Sequence, residues 1–274
     1  MSKKNKLIFI LAWVLILLGL LTAALLLPGN EKKETIQAVM RDAVLHGNNK
    51  ISLFGLKQVN PAFISALTVT GVMLLFALVV RLFVIPRFQL VPGKFQLLLE
   101  QAVEFFSNLA RTNSPHRNGF LGAYIFAAGA YIFVGTLFEL FGFQAVTTGG
   151  LSVALPAPLS DVNAAIAMGC LSYLIILSGG IAGNKLKGVG LTLKEFSLPI
   201  SMSFRLFGAL LSGLLVTELV YYYINLSFVL PVAVGVMFTL LHALIQTYVL
   251  TMLTALFYGE VSEPHKKAKK AKAN

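Results

Sequence analysis

The chain has 274 residues, of which 57% are hydrophobic and 12% are charged, and its net charge is +11. A mean hydropathy of +0.81 is too high for a soluble domain of this length. Short alternating segments are absent, which excludes a membrane-spanning strand barrel. The composition therefore predicts an all-α membrane protein.

Six apolar stretches are long enough to be transmembrane helices, which need about 20 residues. They cover residues 7–27, 62–85, 119–143, 163–183, 198–224 and 228–258. The first follows the basic sequence MSKKNK, as the apolar part of a signal peptide does. That part is usually only about 7–15 residues long and is followed by a small-residue cleavage site. We therefore predict an uncleaved N-terminal anchor at residues 1–28 and an extracytoplasmic loop at residues 29–61.

The lysine and arginine residues divide the loops into two classes. With the N-terminus inside, sixteen of them lie in inside segments, five lie in the single loop before residue 62, and the last is Arg205. Because basic residues accumulate on the cytoplasmic side, we predict six crossings of the cell inner membrane with both termini cytoplasmic. Residues 260–274 then form a basic cytoplasmic tail. This distribution accounts for the net charge, and no nucleic-acid partner is predicted.

Residues 92–112 are too polar to cross the membrane. Their apolar side chains recur at spacings of three and four, as on one face of a helix: Phe95, Leu98, Leu99, Val103, Phe106 and Ala110. The pattern predicts an amphipathic helix on the inner membrane surface. A cytoplasmic linker helix is the alternative.

Five ionisable residues lie within or at the edge of the apolar stretches: Glu139, Asp161, Arg205, Glu218 and His242. Arg205 is the most informative of them because a guanidinium cannot lose its proton. A charge at mid-bilayer depth costs roughly 3 to 17 kcal/mol, depending on the method of measurement. Arg205 lies roughly 10 Å into its helix. Either its side chain reaches back to the surface, or its charge has a function at depth.

The last span is predicted to begin at Pro231 and to end at Gly259. His242 and Gln246 lie four residues apart on it. Residues at this spacing share a helix face. If the last two spans form an antiparallel hairpin, Gln246 faces Arg205 and His242 lies about one turn further out. A histidine titrates near neutral pH and suits proton passage. A hydrogen bond that only joins two helices is the alternative.

The three carboxylates lie toward the outer side. Glu218 follows Arg205 by 13 residues, or about 19 Å of helix, so the two cannot pair directly. It is either a titratable relay group or an interfacial residue beside three tyrosines. Glu139 ends the third span, and Asp161 and Asn163 open the fourth. Glu139 and Asp161 are placed to attract cations at an outer mouth, and Asp161 also fits a helix N-cap.

The single cysteine, Cys170, lies within an apolar stretch. It excludes an intrachain disulfide and argues against a cysteine metal site, and we predict a small buried side chain. We predict no metal and no cofactor. An intramembrane hydrolase would need a paired nucleophile and base or a metal cluster, and the sequence contains no such constellation.

The sequence SLPISMSFRLFGALLSG, which contains Arg205, resembles the arginine motif of subunit a of F-type ATP synthases. Three more stretches resemble the same family in the same order: LVPGKFQLLLEQAVEFF, PLSDVNAAIAMG and HALIQTYVLTMLTALFY. The resemblance covers about residues 60–260, with a predicted family core at residues 62–259. It implies a fold whose long C-terminal helix hairpin faces a ring of c subunits.

The resemblance also implies the function. The chain would be a stator subunit without catalytic activity of its own, which couples proton or sodium flow through two half-channels to ring rotation and ATP synthesis. Arg205 matches the family's essential arginine, and Gln246 matches the glutamine that faces it. The implied partners are the c-subunit ring, the b subunits of the peripheral stalk and the lipid bilayer. The alternative is a stand-alone secondary transporter that uses Glu218 and His242 as its coupling pair.

Three positions depart from the family pattern. Ala209 replaces the usual asparagine of the arginine motif, Leu214 replaces an acidic residue, and Thr239 replaces a frequent histidine. Glu218 and His242 lie about one turn beyond the last two of these positions. We expect them to take the same roles, displaced by one turn within the same half-channel.

Overall fold

The computed structural model describes residues 3–26, 35–45, 50–53, 56–148, 150, 152–222 and 230–264. The α-helices of this part of the chain are α1 (Lys3–Leu26), α2 (Ile36–Leu45), α3 (Pro61–Val79), α4 (Lys94–Asn113), α5 (Gly119–Leu137), α6 (Val162–Asn184), α7 (Leu186–Lys194), α8 (Ser197–Tyr222) and α9 (Leu230–Ser262). Its strands are β1 (Ile51–Leu53), β2 (Leu56–Val59), β3 (Gln144–Val146) and β4 (Ser152–Ala154).

Within the described residues, five helical segments are long and apolar enough to cross a membrane: Pro61–Arg87, Gly119–Phe141, Val162–Asn184, Ser197–Val220 and Val232–Ser262. A shorter apolar segment, Ile8–Gly19, lies within α1. The prediction of an all-α, multi-span membrane protein is confirmed. The anchoring role of residues 1–28 stays a prediction. Residues 223–229, where the last two predicted spans meet, lie outside the described part, as does most of the basic tail.

The core lies where α5, α6, α8 and α9 pack together, with α4 crossing α5 and α9. Large apolar side chains from all four helices are buried there, among them Ile132, Ile176, Leu206 and Leu250. The α3 span has many exposed apolar side chains instead. Exposed apolar surface on a spanning helix belongs in lipid or against another membrane protein.

Glycines permit the closest helix contacts. A Cβ on Gly169 of α6 would lie 2.9 Å from the carbonyl oxygen of Pro199 in α8. Gly259 was predicted to end the last span, and this prediction is wrong: α9 continues to Ser262. A Cβ at Gly259 would collide with the carbonyl oxygen of Asn113. The residue is therefore small because the end of α4 crosses α9 at that point. Helix α9 begins at Leu230, one residue before Pro231. A proline is tolerated in the first turn of a helix.

The prediction for Cys170 is also wrong, since its side chain is exposed on α6. Composition indicated that this segment is apolar, but it did not indicate which face of α6 points outward. The neighbouring face is the packed one, where Gly169 and Ser172 are buried. Cys170 therefore lies on the surface of the helix that faces away from the core.

The span that begins with α3 ends in an irregular turn. Residues Val80–Val84 form a π-helical turn and Ile85–Arg87 a 3₁₀ turn. Pro86 has no N–H to continue the α-helical hydrogen bonds, and the Ile85 N–H instead bonds the carbonyl of Val80. The chain then bends into the loop that leads to α4.

The described part of the chain contains two short hairpins that hydropathy did not predict. One precedes the N-terminus of α3, and the other follows the C-terminus of α5. Strands β1 and β2 pair, and so do β3 and β4. The Thr148 N–H donates to the Lys50 carbonyl at 2.9 Å and links the two hairpins. A second apolar cluster fills the space below them, formed by Ile51, Val69, Phe138 and Leu155. The predicted extracytoplasmic loop thus contains α2 and a β-hairpin, and α2 contacts α8.

The predicted amphipathic segment is helix α4. Its C-terminal half packs inward: Ala110 is buried, and the Phe106 ring occupies the space that a side chain at Gly129 of α5 would need. At its N-terminal half Phe95 and Leu98 are exposed. The apolar face therefore continues beyond the protein contact, which is consistent with the predicted position on a membrane surface.

The N-termini of α3 and α6 are joined by one hydrogen bond. Asp161 caps α6 by accepting from the backbone N–H groups of Asn163 at 2.8 Å and Ala164 at 3.3 Å. Asn60 caps α3 by accepting from the Ala62 N–H at 2.9 Å. The Asn60 amide also donates to Asp161 Oδ2 at 2.6 Å. Asp161 thus has three donors, and charge-assisted bonds of this kind are roughly twice as strong as neutral ones.

We expect Asp161→Ala to lower the free energy of unfolding by about 1–2 kcal/mol, the usual cost of a lost helix cap. Asn60→Ala removes a cap and the same inter-helix bond, so the two losses should not add. The double variant should show a coupling energy of at least about 0.5 kcal/mol. Chemical unfolding in detergent, with helicity as the signal, measures all three variants. Strictly additive losses would show that the bond contributes nothing.

Candidate functional site

Arg205 lies on α8, eight residues after Ser197 and so about 12 Å along the helix. Its side chain is exposed, as are Ser201, Gly208 and Ser212 at helical spacing on the same face. The residues next to the arginine on this face are small, which leaves room beside the guanidinium. The span thus presents a permanent cation on an open surface.

Gln246 of α9 meets Arg205 across a narrow crevice between the two helices. The crevice is lined by Met202, Arg205, Leu206, Gln246, Val249, Leu250 and Leu253. Gln246 is 6% exposed and so is held in place by its surroundings. An amide oxygen can accept a hydrogen bond from a guanidinium. Gln246 is the uncharged polar side chain in the lining of the crevice beside Arg205.

The lining of this crevice contains no acidic side chain within the part of the chain that the structure describes. The acidic residue on the same helix, Glu218, is 13 residues away, about 19 Å along the axis. The aliphatic side chains around the crevice do not stabilise a charge. The cation is therefore open toward the outside of the chain rather than paired across the hairpin.

Glu218 and Glu139 are brought together at the other end of α8. Glu139 belongs to the 3₁₀ turn Phe138–Phe141 that ends the second long span, and its carboxyl is close enough to Glu218 for their charges to interact. Two carboxylates at such a distance repel when both are ionised. The two acidic side chains are therefore neighbours near the C-terminal end of α8.

His242 lies between the arginine and the two carboxylates. Its Nδ1 would be 3.6 Å from a Cβ on Gly213, so α8 and α9 approach closely at this level. Gly213 is eight residues beyond Arg205 and five before Glu218. Further along α9, Gly235 lies near Leu140, the neighbour of Glu139. The order along the hairpin is therefore Arg205 with Gln246, then His242, then the glutamate pair.

Asp161 and Asn163 are held elsewhere. Both belong to the start of α6, where Asp161 is engaged as an N-cap and bonded to Asn60, while the Asn163 side chain is exposed. The sequence predicted the capping role among its alternatives, but it did not single out Asn60. The sequence did contain a signal for Asn60 as a helix N-cap, because it directly precedes Pro61 and this pair is typical of a helix start.

The three positions that depart from the family pattern lie along the same hairpin. Ala209 and Leu214 are half-buried on α8, and Thr239 is buried on α9. Leu214 is one turn from Glu218, and residues four apart share a face. Thr239 is three residues from His242. Glu218 and His242 thus lie within about one turn of Leu214 and Thr239.

Comparison with known protein families matches residues 63–259 to the ATP synthase A chain family. The matched region begins in α3, ends three residues before the end of α9, and contains Arg205, Gln246, His242 and Glu218. The chain belongs to the ATP synthase A chain family and is a subunit of the membrane sector of ATP synthase.

Proposed function

We propose that the chain is the stator against which a ring of c subunits turns, and that Arg205 separates two half-channels which lead ions to and from that ring. The observation that carries this proposal is the position of Arg205. It is a permanent cation within a membrane span, on an exposed face, beside a crevice without an acidic side chain among the described residues. Such a charge requires a partner on another molecule.

A carboxylate on a rotating ring is the partner that fits. In lipid a ring carboxyl must be neutral, because an isolated charge in hydrocarbon is prohibitive. Opposite Arg205 it ionises, because an opposite charge within a few ångströms favours the charged form. It thereby releases its ion to one half-channel and takes another from the second. The exposed small residues Gly208 and Ser212 on the arginine face leave space for a ring helix.

The same cation opposes leakage. A proton moving straight from one half-channel to the other must pass a fixed positive charge, which raises the electrostatic barrier. Each ion that crosses 100 mV releases about 2.3 kcal/mol, and a direct path would dissipate this energy. In this mechanism Gln246 holds the guanidinium in position from across the crevice.

The outer half-channel, in our proposal, follows Glu139, Glu218 and His242. These titratable groups form a series that leads toward Arg205 along the α8–α9 hairpin. Asp161 and Asn163 lie apart from this series at the start of α6, and we assign them to the outer mouth, where Asp161 also caps the helix. The b subunits of the peripheral stalk hold the chain against the ring, and both termini lie in the cytoplasm of a cell whose inner membrane contains the complex.

We expect Arg205→Ala to abolish ATP-driven proton pumping by the complete complex in vesicles, with assembly intact, because the ring carboxylate loses its counter-charge. Arg205→Lys should fail as well, because an ammonium can lose its proton at depth. Arg81→Ala is the matched control, since Arg81 is an exposed arginine on a different span. Normal pumping by assembled Arg205→Ala complexes would refute the gating role.

We expect Glu218→Leu to slow pumping by about a hundredfold or more, the usual scale for loss of a positioned proton-transfer group. The exchange variant Leu214→Glu/Glu218→Leu moves the carboxylate back by one turn on the same face. It should recover most of the activity if the two positions serve one half-channel. Initial rates of fluorescence quenching by a pH-sensitive dye measure this, with c-ring content as the control. No loss on Glu218→Leu would remove this residue from the path.

Transport measurements on the complex also separate the two classes of function. A stator subunit purifies together with a c-ring and transports ions only in its presence. A stand-alone secondary transporter would move a substrate in vesicles that contain this chain alone. Separate H⁺ and Na⁺ gradients applied to the complex identify the ion.

A further inference from the structure

A cavity of about 440 Å³ lies between the end of the α3 span and the first turn of α4, far from the α8–α9 hairpin in sequence. Its lining includes two cationic side chains, Arg87 and Lys94, and three aromatic ones, Phe83, Phe88 and Phe95. None of these residues has a part in the function proposed above. The combination of positive charge and aromatic surface indicates a ligand with an anionic end and an apolar end.

The cavity has a defined wall. The Gln96 side chain accepts from the Gln89 backbone N–H at 3.1 Å and donates to the Gln89 carbonyl at 2.9 Å, which closes the loop before α4. Gln96 also donates to the Glu100 carboxylate at 2.7 Å. Glu100 lies one turn further along α4 and is not part of the lining. The acidic group nearest in sequence is thus engaged outside the cavity.

The rim of the cavity is apolar. Leu90 is fully exposed and Val91 is 82% exposed, and both belong to the loop between Arg87 and α4. Aliphatic side chains at such exposure are unfavourable in water. On α4, Leu98 is an exposed apolar side chain as well. Since the span ends at Arg87, the cavity lies where the hydrocarbon meets the headgroup layer.

We propose that this cavity binds the headgroup of an anionic phospholipid. A lipid phosphate can bond the Arg87 guanidinium and the Lys94 ammonium together, and basic pockets at this depth bind such headgroups. The first turn of α4 lines the cavity, and its N-cap, Gly93, supplies no side-chain acceptor. The free N–H groups there add to the attraction for a phosphate. The acyl chains continue along the phenylalanines.

A tryptophan reporter tests the proposal on the full chain. The sequence has one tryptophan, Trp13, so Trp13→Phe with Leu90→Trp places a single indole at the rim without filling the cavity. The chain is reconstituted in phosphatidylcholine nanodiscs that contain a minor fraction of brominated phosphatidylglycerol or, in a parallel set, brominated phosphatidylcholine. We expect the anionic quencher to be enriched several-fold at the reporter, since each cation contributes about fivefold. Equal quenching by the two lipids would overturn the proposal.

Charge-neutral variants locate the site. Arg87→Gln/Lys94→Gln should abolish the preference, whereas Arg87→Lys/Lys94→Arg should retain most of it. The matched control, Lys185→Gln/Lys187→Gln, removes the same charge from two exposed lysines at another helix junction and should leave the preference unchanged. An equal loss in both neutral variants would show only general attraction to a basic surface and would refute a specific site. Helicity of each variant, measured in the same nanodiscs, checks that it is folded. A second reporter, Phe143→Trp in place of Leu90→Trp, should show no preference for the anionic quencher.

Discussion

The structure depends on one electrostatic constraint: a guanidinium that cannot be neutralised is placed within a hydrocarbon layer. The cost of such a charge is several kcal/mol on any scale, and the described part of the hairpin offers it the amide of Gln246 and aliphatic side chains. A folded chain tolerates this arrangement when the charge is satisfied in the assembled complex. The isolated subunit is therefore electrostatically incomplete at Arg205, and the proposed ring contact removes that deficit.

The gating role proposed for Arg205 requires a cation in a fixed position, and close helix contacts at glycines of the core favour such a position. Gly169 brings α6 against the backbone of α8 at Pro199, two turns before Arg205. Gly129 of α5 makes room for Phe106 of α4, and its carbonyl accepts from Thr247, the neighbour of Gln246, at 3.4 Å. Both sides of the crevice are thus held by helices behind them, since contacts between backbones leave little freedom to shift.

Hydropathy and charge predicted the parts of the fold that lipid imposes. The spans and the amphipathic α4 follow from the cost of polar groups in hydrocarbon, and helix periodicity predicted that Gln246 lies across from Arg205. Contacts between distant segments left no such signal. The Asn60–Asp161 bond, the proximity of Glu139 to Glu218, the outward side of Cys170 and the crossing at Gly259 all depend on tertiary packing. The short hairpins left no signal either, because strands of three or four residues are too short to show an alternating hydrophobic pattern.

The two sides of Arg205 differ in a way that the proposed mechanism explains. Toward the C-terminal end of α8 the chain presents His242, Glu218 and Glu139, whereas on α8 itself the residues from Ser197 to Phe204 carry hydroxyls and no titratable group. That side is only about 12 Å long, and Ser201 is exposed on it. Water can enter such a short exposed stretch and carry ions without a protein relay. The longer side crosses packed helices, where an ion needs side chains that accept and release it. On α8 itself, the lack of a titratable group before Arg205 thus agrees with the shorter of the two proposed paths to one fixed charge.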